Sequence, residues 1–209
     1  MTPVDKFLPF VLPYADSVPL PVARVAIAKA ANQFCAQSLL WQEEYPEVKV
    51  HPGKFVEIPV PKSAMVVKVM SVAYNGFRLT ATSRDELNST NVIDYRLFEG
   101  LPKFFFQADL NELRLVPEPV KHGILSIVVA LAPTLESTEV PTSLYTRFWE
   151  AIANGALADI KQIQGQSYSD PNAALAYKAL FQQGVREAKN EAVRSLGRTV
   201  GRVAYQRVV

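Results

Sequence analysis

The hydrophobic pattern is clearest over residues 143–196, where two apolar stripes at helical spacing flank a short polar stretch containing Gly165. Tyr145, Phe148, Ile152, Ala156, Ile160 and Ile163 recur at three- and four-residue steps, as do Ala174, Tyr177, Phe181, Val185, Ala188, Ala192 and Leu196. Lys178, Gln182, Arg186, Lys189 and Arg194 occupy the other faces of the second stripe, which is the pattern of a helix with one buried side. Asp170 offers a side-chain oxygen at the N-cap and Pro171 suits the first helical position, so the second helix is predicted to begin there. Gly165 has the left-handed preference of a helix C-cap. Ala153, Gly155 and Ala156 are small enough for a second backbone to come close. The segment reads as a helical hairpin.

Another helix is predicted from about Pro21 to Glu44, with Ala23, Ile27, Ala30, Phe34 and Trp41 on one face and Pro46 as its stop. Before it, prolines at 3, 9, 13, 19 and 21 interrupt Phe7, Leu8, Phe10, Val11, Leu12 and Tyr14. Proline fixes φ and removes a donor, so residues 1–20 are expected to be an extended arm. That arm lies either along its own domain or on a neighbouring subunit.

From residue 50 to 132 the runs shorten to strand length. Segments 54–60, 65–74, 77–83, 93–98, 103–107, 112–116 and 123–131 are rich in Val, Ile, Phe or Tyr and are separated by Pro, Gly, Asn or Asp. Asn75-Gly76 between two of them is a strong hairpin signal, because a type I′ turn needs positive φ at both central residues. Residues 84–92 are polar and are expected to form an exposed loop. Short strands at this spacing suggest a sandwich or a partly closed barrel.

The fold class is therefore α+β: a helical bundle of the N-terminal helix plus the C-terminal helical hairpin, with an inserted antiparallel β-sandwich or barrel-like subdomain. The expected domains are the extended N-terminal arm at 1–20, the bundle from 21–48 and 141–196, the β subdomain at 49–133 and a C-terminal tail at 197–209. Ile27, Phe34, Trp41, Phe148, Ile152, Tyr177, Phe181 and Val185 are the predicted bundle core. The tail is either the frayed end of the last helix or a separate segment.

Three stretches carry a family resemblance. They are WEAIANGALA at 149–158, Tyr168-Ser-Asp-Pro followed by Tyr177 and Phe181-Gln-Gln-Gly-Val, and AIAKAANQFCAQSLLW at 26–41. In order and spacing they resemble the C-terminal half and first helix of the head-to-tail adaptor proteins of tailed bacteriophages. Together they cover roughly a third of the chain; Tyr-Asn-Gly-Phe-Arg-Leu at 74–79 and a strand-rich middle accompany them. The resemblance implies a structural virion protein, assembled in the host cytoplasm. It implies a homo-oligomeric, dodecameric ring of neighbouring adaptor subunits bound under the portal protein. Such a ring would extend the channel through which genomic DNA passes without sequence specificity, and would present a platform for downstream neck and tail proteins.

Composition fits a globular chain of 209 residues, with 49% hydrophobic and 20% charged residues. The longest nearly uninterrupted apolar run, 124–132, falls far short of the ~20 residues of a membrane helix, so no membrane association is expected. No signal peptide is expected either, since a proline-broken stretch without a small-residue cleavage pattern follows Asp5 and Lys6. The single cysteine, Cys35, rules out an internal disulfide and reads as a small buried hydrophobe. The net charge of +2 is uneven: residues 178–209 hold seven Lys/Arg against two Asp/Glu.

Candidate chemistry is sparse. His51 and His122 are about seventy positions apart and have no metal-ligand spacing, so neither metal nor cofactor is expected. Glu43-Glu44 and Asp85-Glu86 read as solvated faces. Tyr74, Phe77 and the aromatics at 104–106 read as strand packing before they read as a carbohydrate platform. The basic end admits two readings. Arg198, Arg202 and Arg207 with Val200, Val203 and Tyr205 suit a tail that docks into a partner protein, which under the resemblance is the portal. The alternative is a nucleic-acid-binding protein using the basic C-terminal helix. A glycan-binding or cell-wall-degrading module is a third class, for which the sequence establishes neither paired carboxylates nor an exposed aromatic patch. A non-enzymatic ring component fits best.

Overall fold

A computed structural model describes residues 1–53, 55–90 and 99–197 of the chain. It is a mixed α/β protein whose chain divides into two compact units, residues 1–40 with 140–209, and residues 41–139. After a two-residue strand β1 (Thr2–Pro3) come three short helical turns: Val4–Phe7, α1 (Leu8–Val11) and Leu12–Tyr14. The helix α2 (Leu20–Ser38) leads into the strands β2 (Gln42–Val50), β3 (Val56–Glu57), β4 (Ala64–Tyr74), β5 (Phe77–Arg78) and β6 (Thr80–Ala81). A short helix α3 (Arg84–Thr90) precedes β7 (Glu99–Gly100), β8 (Phe104–Asp109), β9 (Glu112–Val116), β10 (Glu118–Pro119), β11 (Gly123–Pro133) and β12 (Glu139–Val140). Two long helices, α4 (Thr142–Lys161) and α5 (Pro171–Gly197), end the described chain.

In the helical unit, α2 owes its stability to alanines at 23, 26, 28, 30 and 31, the best helix formers, which also give it a thin buried face. It stops at Ser38, six residues before the expected end. Leu39 turns left-handed (φ 55°), and its N–H closes on the Cys35 carbonyl at 2.9 Å. Trp41 therefore leaves the helix; it packs half-buried against the core of the β unit, and so is not part of the bundle core predicted for it. The α5 start is as the sequence predicts: Asp170 Oδ1 accepts from the N–H groups of Asn172 (3.1 Å) and Ala173 (3.0 Å), with Pro171 next to it.

The N-terminal residues are not extended. Pro9 and Pro13 each stand at the start of a helical turn, where the missing N–H costs nothing. The turns bury Val4, Phe7 and Val11, and the Phe7 ring meets Tyr145 edge-on at 5.3 Å. Arg24 makes an exposed two-pronged pair with Asp5 at 2.7 Å for both contacts. Of the two placements open to this segment, the structure has it lying on the helices of its own unit.

In the β unit one sheet has the order β2-β11-β4-β5 and another the order β3-β9-β8-β6. Val66, Val72, Leu125, Ile127 and Leu131 of the first share one hydrophobic cluster with Val56, Phe105, Leu113 and Leu115 of the second. Among the described residues neither sheet closes into a barrel. The hairpin at Asn75-Gly76 has positive φ at both residues (48° and 85°) and pairs Tyr74 with Phe77.

Two elements of the β unit differ from the sequence reading as well. Residues 42–50 form an edge strand despite Pro46, because the register skips there: Leu125 faces Val48 and Ile127 faces Tyr45, which leaves Pro46 and Glu47 bulged against Ser126. Residues 84–90 are a helix rather than a loop. Its signal is a capping box, Ser83 to Glu86, in which Ser83 Oγ accepts from the Glu86 N–H at 3.1 Å. Leu87 anchors it by packing with Phe106 and Val116. The expected strand at 93–98 lies outside the described residues.

The helices of the first unit meet at glycine. A Cβ on Gly184 would stand 2.4 Å from the Ala151 Cβ, and one on Gly155 would stand 2.7 Å from the Phe181 ring and 3.0 Å from the Ala30 Cβ. Gly184→Ala should therefore destabilise the protein although alanine is the better helix former. Overpacking costs about 1–3 kcal/mol against a propensity gain of about 1 kcal/mol. At about 2–4 °C per kcal/mol, thermal unfolding should fall by a few degrees; a midpoint at or above that of the natural protein would show that the helices separate at no cost.

Candidate functional site

The predicted bundle-core residues do not all have the same fate. Ile27, Phe34, Ile152, Phe181 and Val185 are buried in the helical unit, and Phe34 meets the rings of Phe148 at 5.2 Å and Phe181 at 6.2 Å. Phe148 and Tyr177 are only partly buried. Phe148 sits at a break in α4 (φ −129°, ψ 19°). Next to it the Arg147 guanidinium donates from both terminal nitrogens to the Glu191 carboxylate of α5. The tail residues Arg198, Val200, Arg202, Val203, Tyr205 and Arg207 lie outside the described residues.

A feature that the sequence reading did not single out is a groove on the helical unit. The N-terminal turns pack on α2 and α4 so that Phe10 stacks on Trp149 at 4.3 Å. Together with Pro9, Pro13, Tyr14 and Tyr177 they wall a groove of about 350 Å³ in which Glu150 is the one charged lining residue. Tyr14 is 59% and Trp149 37% exposed, so the aromatic surface faces solvent. Tyr and Trp carry large contact area on few rotatable bonds and are enriched where proteins meet proteins. The signal was present as alternation of proline and aromatics in residues 7–14, but only the turn geometry shows that these rings share a face with Trp149.

The polar groups with potential for chemistry have structural explanations. Glu43 is held by two donors, Trp41 Nε1 at 3.0 Å and the Tyr45 hydroxyl at 2.9 Å. Burial, and then the bond to Glu43, push the Tyr45 phenol up to about 12. Asp85 and Glu86 lie in the first turn of α3, where acidic charge suits the helix dipole. Of the aromatics considered as a platform, Tyr74, Phe105 and Phe106 are buried, leaving Phe77 and Phe104 exposed. His51 and His122 are not isolated: the β2–β11 register brings their rings to 5.1 Å. Among the described residues no group of three or more His, Cys, Asp or Glu could hold a metal ion. Nor is any described helix long and apolar enough to cross a membrane.

A helical unit with an exposed aromatic groove, in one chain with a unit of two sheets, is the equipment of a protein that works through surfaces. The chain belongs to the SU10 adaptor protein family, whose model matches residues 9–204. This is a bacteriophage family of structural adaptors rather than an enzyme family, and it makes the chain a phage structural protein. Comparison with curated proteins gives no match.

Cys35 supplies a direct check on the helical unit. The thiol is fully buried on α2, and burial pushes it up to about 12 from its ordinary 9.0. Because the folded value is raised, the buried thiol's contribution to stability is complete below pH 9 and is lost between pH 9 and 12, where only the unfolded chain ionises. A maleimide should leave the native protein unlabelled at pH 7–8 and label it stoichiometrically in denaturant. Rapid native labelling would mean that α2 does not shield Cys35.

Proposed function

We propose that this chain is the head-to-tail adaptor of a tailed bacteriophage. Its subunits assemble as a dodecameric ring under the portal protein, extend the DNA channel and receive the neck or tail proteins beyond it. The observation that carries this reading is the family match across nearly the whole chain. The reading treats α2, α4 and α5 as a helical bundle and the two sheets as a sandwich inserted into it. The packing of α4 on α5 and the common core of the two sheets support that arrangement. Genomic DNA passes the ring without sequence-specific contacts, and the finished protein resides at the head-to-tail interface of the virion after assembly in the host cytoplasm.

Portal docking falls to the tail. Arg198, Arg202 and Arg207 pair with acidic portal groups, while Val200, Val203 and Tyr205 supply buried area. Thirteen residues from 197 onward would, if fully extended, reach roughly 40 Å, enough to lie along another protein. Exposed ion pairs are worth little each, so the valines and tyrosine provide most of the affinity and the arginines set register and salt dependence.

Truncation after Leu196 tests this docking. The shortened protein should melt within about 2 °C of the full chain, since the described core residues of the helical unit lie before that point, yet it should fail to join portal-containing heads. Normal occupancy of the truncated protein on heads would remove the tail as anchor and turn attention to the aromatic groove at Phe10 and Trp149.

A further inference from the structure

We propose that His51 and His122 form a two-imidazole site for a borderline divalent transition-metal ion such as Zn²⁺, Ni²⁺ or Cu²⁺. This site is independent of the adaptor reading. The antiparallel pairing of β2 with β11 runs to Val50 opposite Gly123, and the next residue outward on each side is a histidine. Both are exposed, and their rings stand perpendicular with centroids 5.1 Å apart. Imidazole nitrogen is the ligand such ions favour. With a metal–nitrogen distance of about 2.1 Å, and ~1.1 Å from nitrogen to ring centre, two imidazoles on a tetrahedral ion have centroids about 5 Å apart. The observed separation needs no movement of the backbone. Exposed side chains change rotamer within nanoseconds, so one nitrogen of each ring can turn to a common point.

The main chain beneath the pair is held. Val50 is 1% exposed. The Tyr74 hydroxyl donates to the Lys121 carbonyl at 3.1 Å, and its ring presses on Gly123 so closely that a Cβ there would stand 2.4 Å away. Asn75 Oδ1 accepts from the Ile124 N–H at 2.9 Å. A pair fixed in this way behaves as a chelate: once one imidazole binds, the second acts at high effective concentration. Two protein ligands leave the remaining coordination positions to water.

The test uses the full chain without a histidine tag, titrated with Ni²⁺ by calorimetry and with Cu²⁺ by electron paramagnetic resonance. One ion per chain is expected, with hyperfine structure from two nitrogens and a rise in the melting midpoint on adding metal. His51→Ala and His122→Ala should each weaken binding by ~10-fold or more, and the double variant should be little worse than either single one, because a chelate is lost with its first arm. Both side chains are exposed, so circular dichroism should show all variants folded. Absence of binding by the natural chain, or two single variants that each retain half of the bound metal, would reduce the pair to an edge-to-face ring contact.

Discussion

The helical unit depends on how closely α4 and α5 approach. At Gly184 the partner is the Cβ of Ala151, and at Gly155 it is the Phe181 ring with Ala30 behind it. Neither site has room for one methyl group. Close approach brings many weak dispersion contacts into range at once and sets where larger groups fit. Phe34, on α2, fills the space between Phe148 and Phe181, and Ile27 and Ile152 are fully excluded from water. The break at Phe148 and the grip of Arg147 on Glu191 belong to the same packing, since they adjust the start of α4 to the line of α5. With that core fixed, the N-terminal turns have a surface to lie on, and the Phe10–Trp149 stack leaves an aromatic groove open to solvent.

The β unit solves a different problem. Its long central strand β11 is flanked by β2 and β4, and its inward residues Leu125, Ile127, Val129 and Leu131 are wholly buried. The outer strand β2 carries Glu43, Glu44, Glu47 and Lys49 with a proline bulge, devices that keep an exposed edge from pairing with other chains indiscriminately. A structural adaptor has to remain soluble until it meets its proper partner, and a charged, bulged edge serves that need. The helical unit shows the opposite character at the groove, where Tyr14 and Trp149 present apolar surface beside the single carboxylate of Glu150.

The features read correctly from the sequence were those set by local chemistry. The Asp170-Pro171 start of α5 and the Asn75-Gly76 hairpin each rest on one or two residues with strong conformational preferences. The misread features depended on competition. Leu39 adopts a left-handed conformation that its side chain disfavours, and α2 ends there without a glycine or proline stop. Pro46 looked like a helix terminator and is a bulge on an edge strand. Pro9 and Pro13 looked like helix breakers and are helix starters, because each falls in the first turn of a short helix. The capping box at Ser83 was legible and outweighed by the polarity of its neighbours. The groove and the histidine pair were not legible, since each joins residues separated by scores of positions through turn geometry or strand register.

The central claim is that this chain is a ring-forming component between a phage head and its tail. Electron microscopy of virions carrying a tagged copy of the protein addresses that claim most directly, with averaging about the tail axis. The expected image is a ring of labelled density immediately beneath the portal, in dodecameric register with it. Label on the capsid shell or the tail tip, or virions that lack the protein altogether, would contradict it.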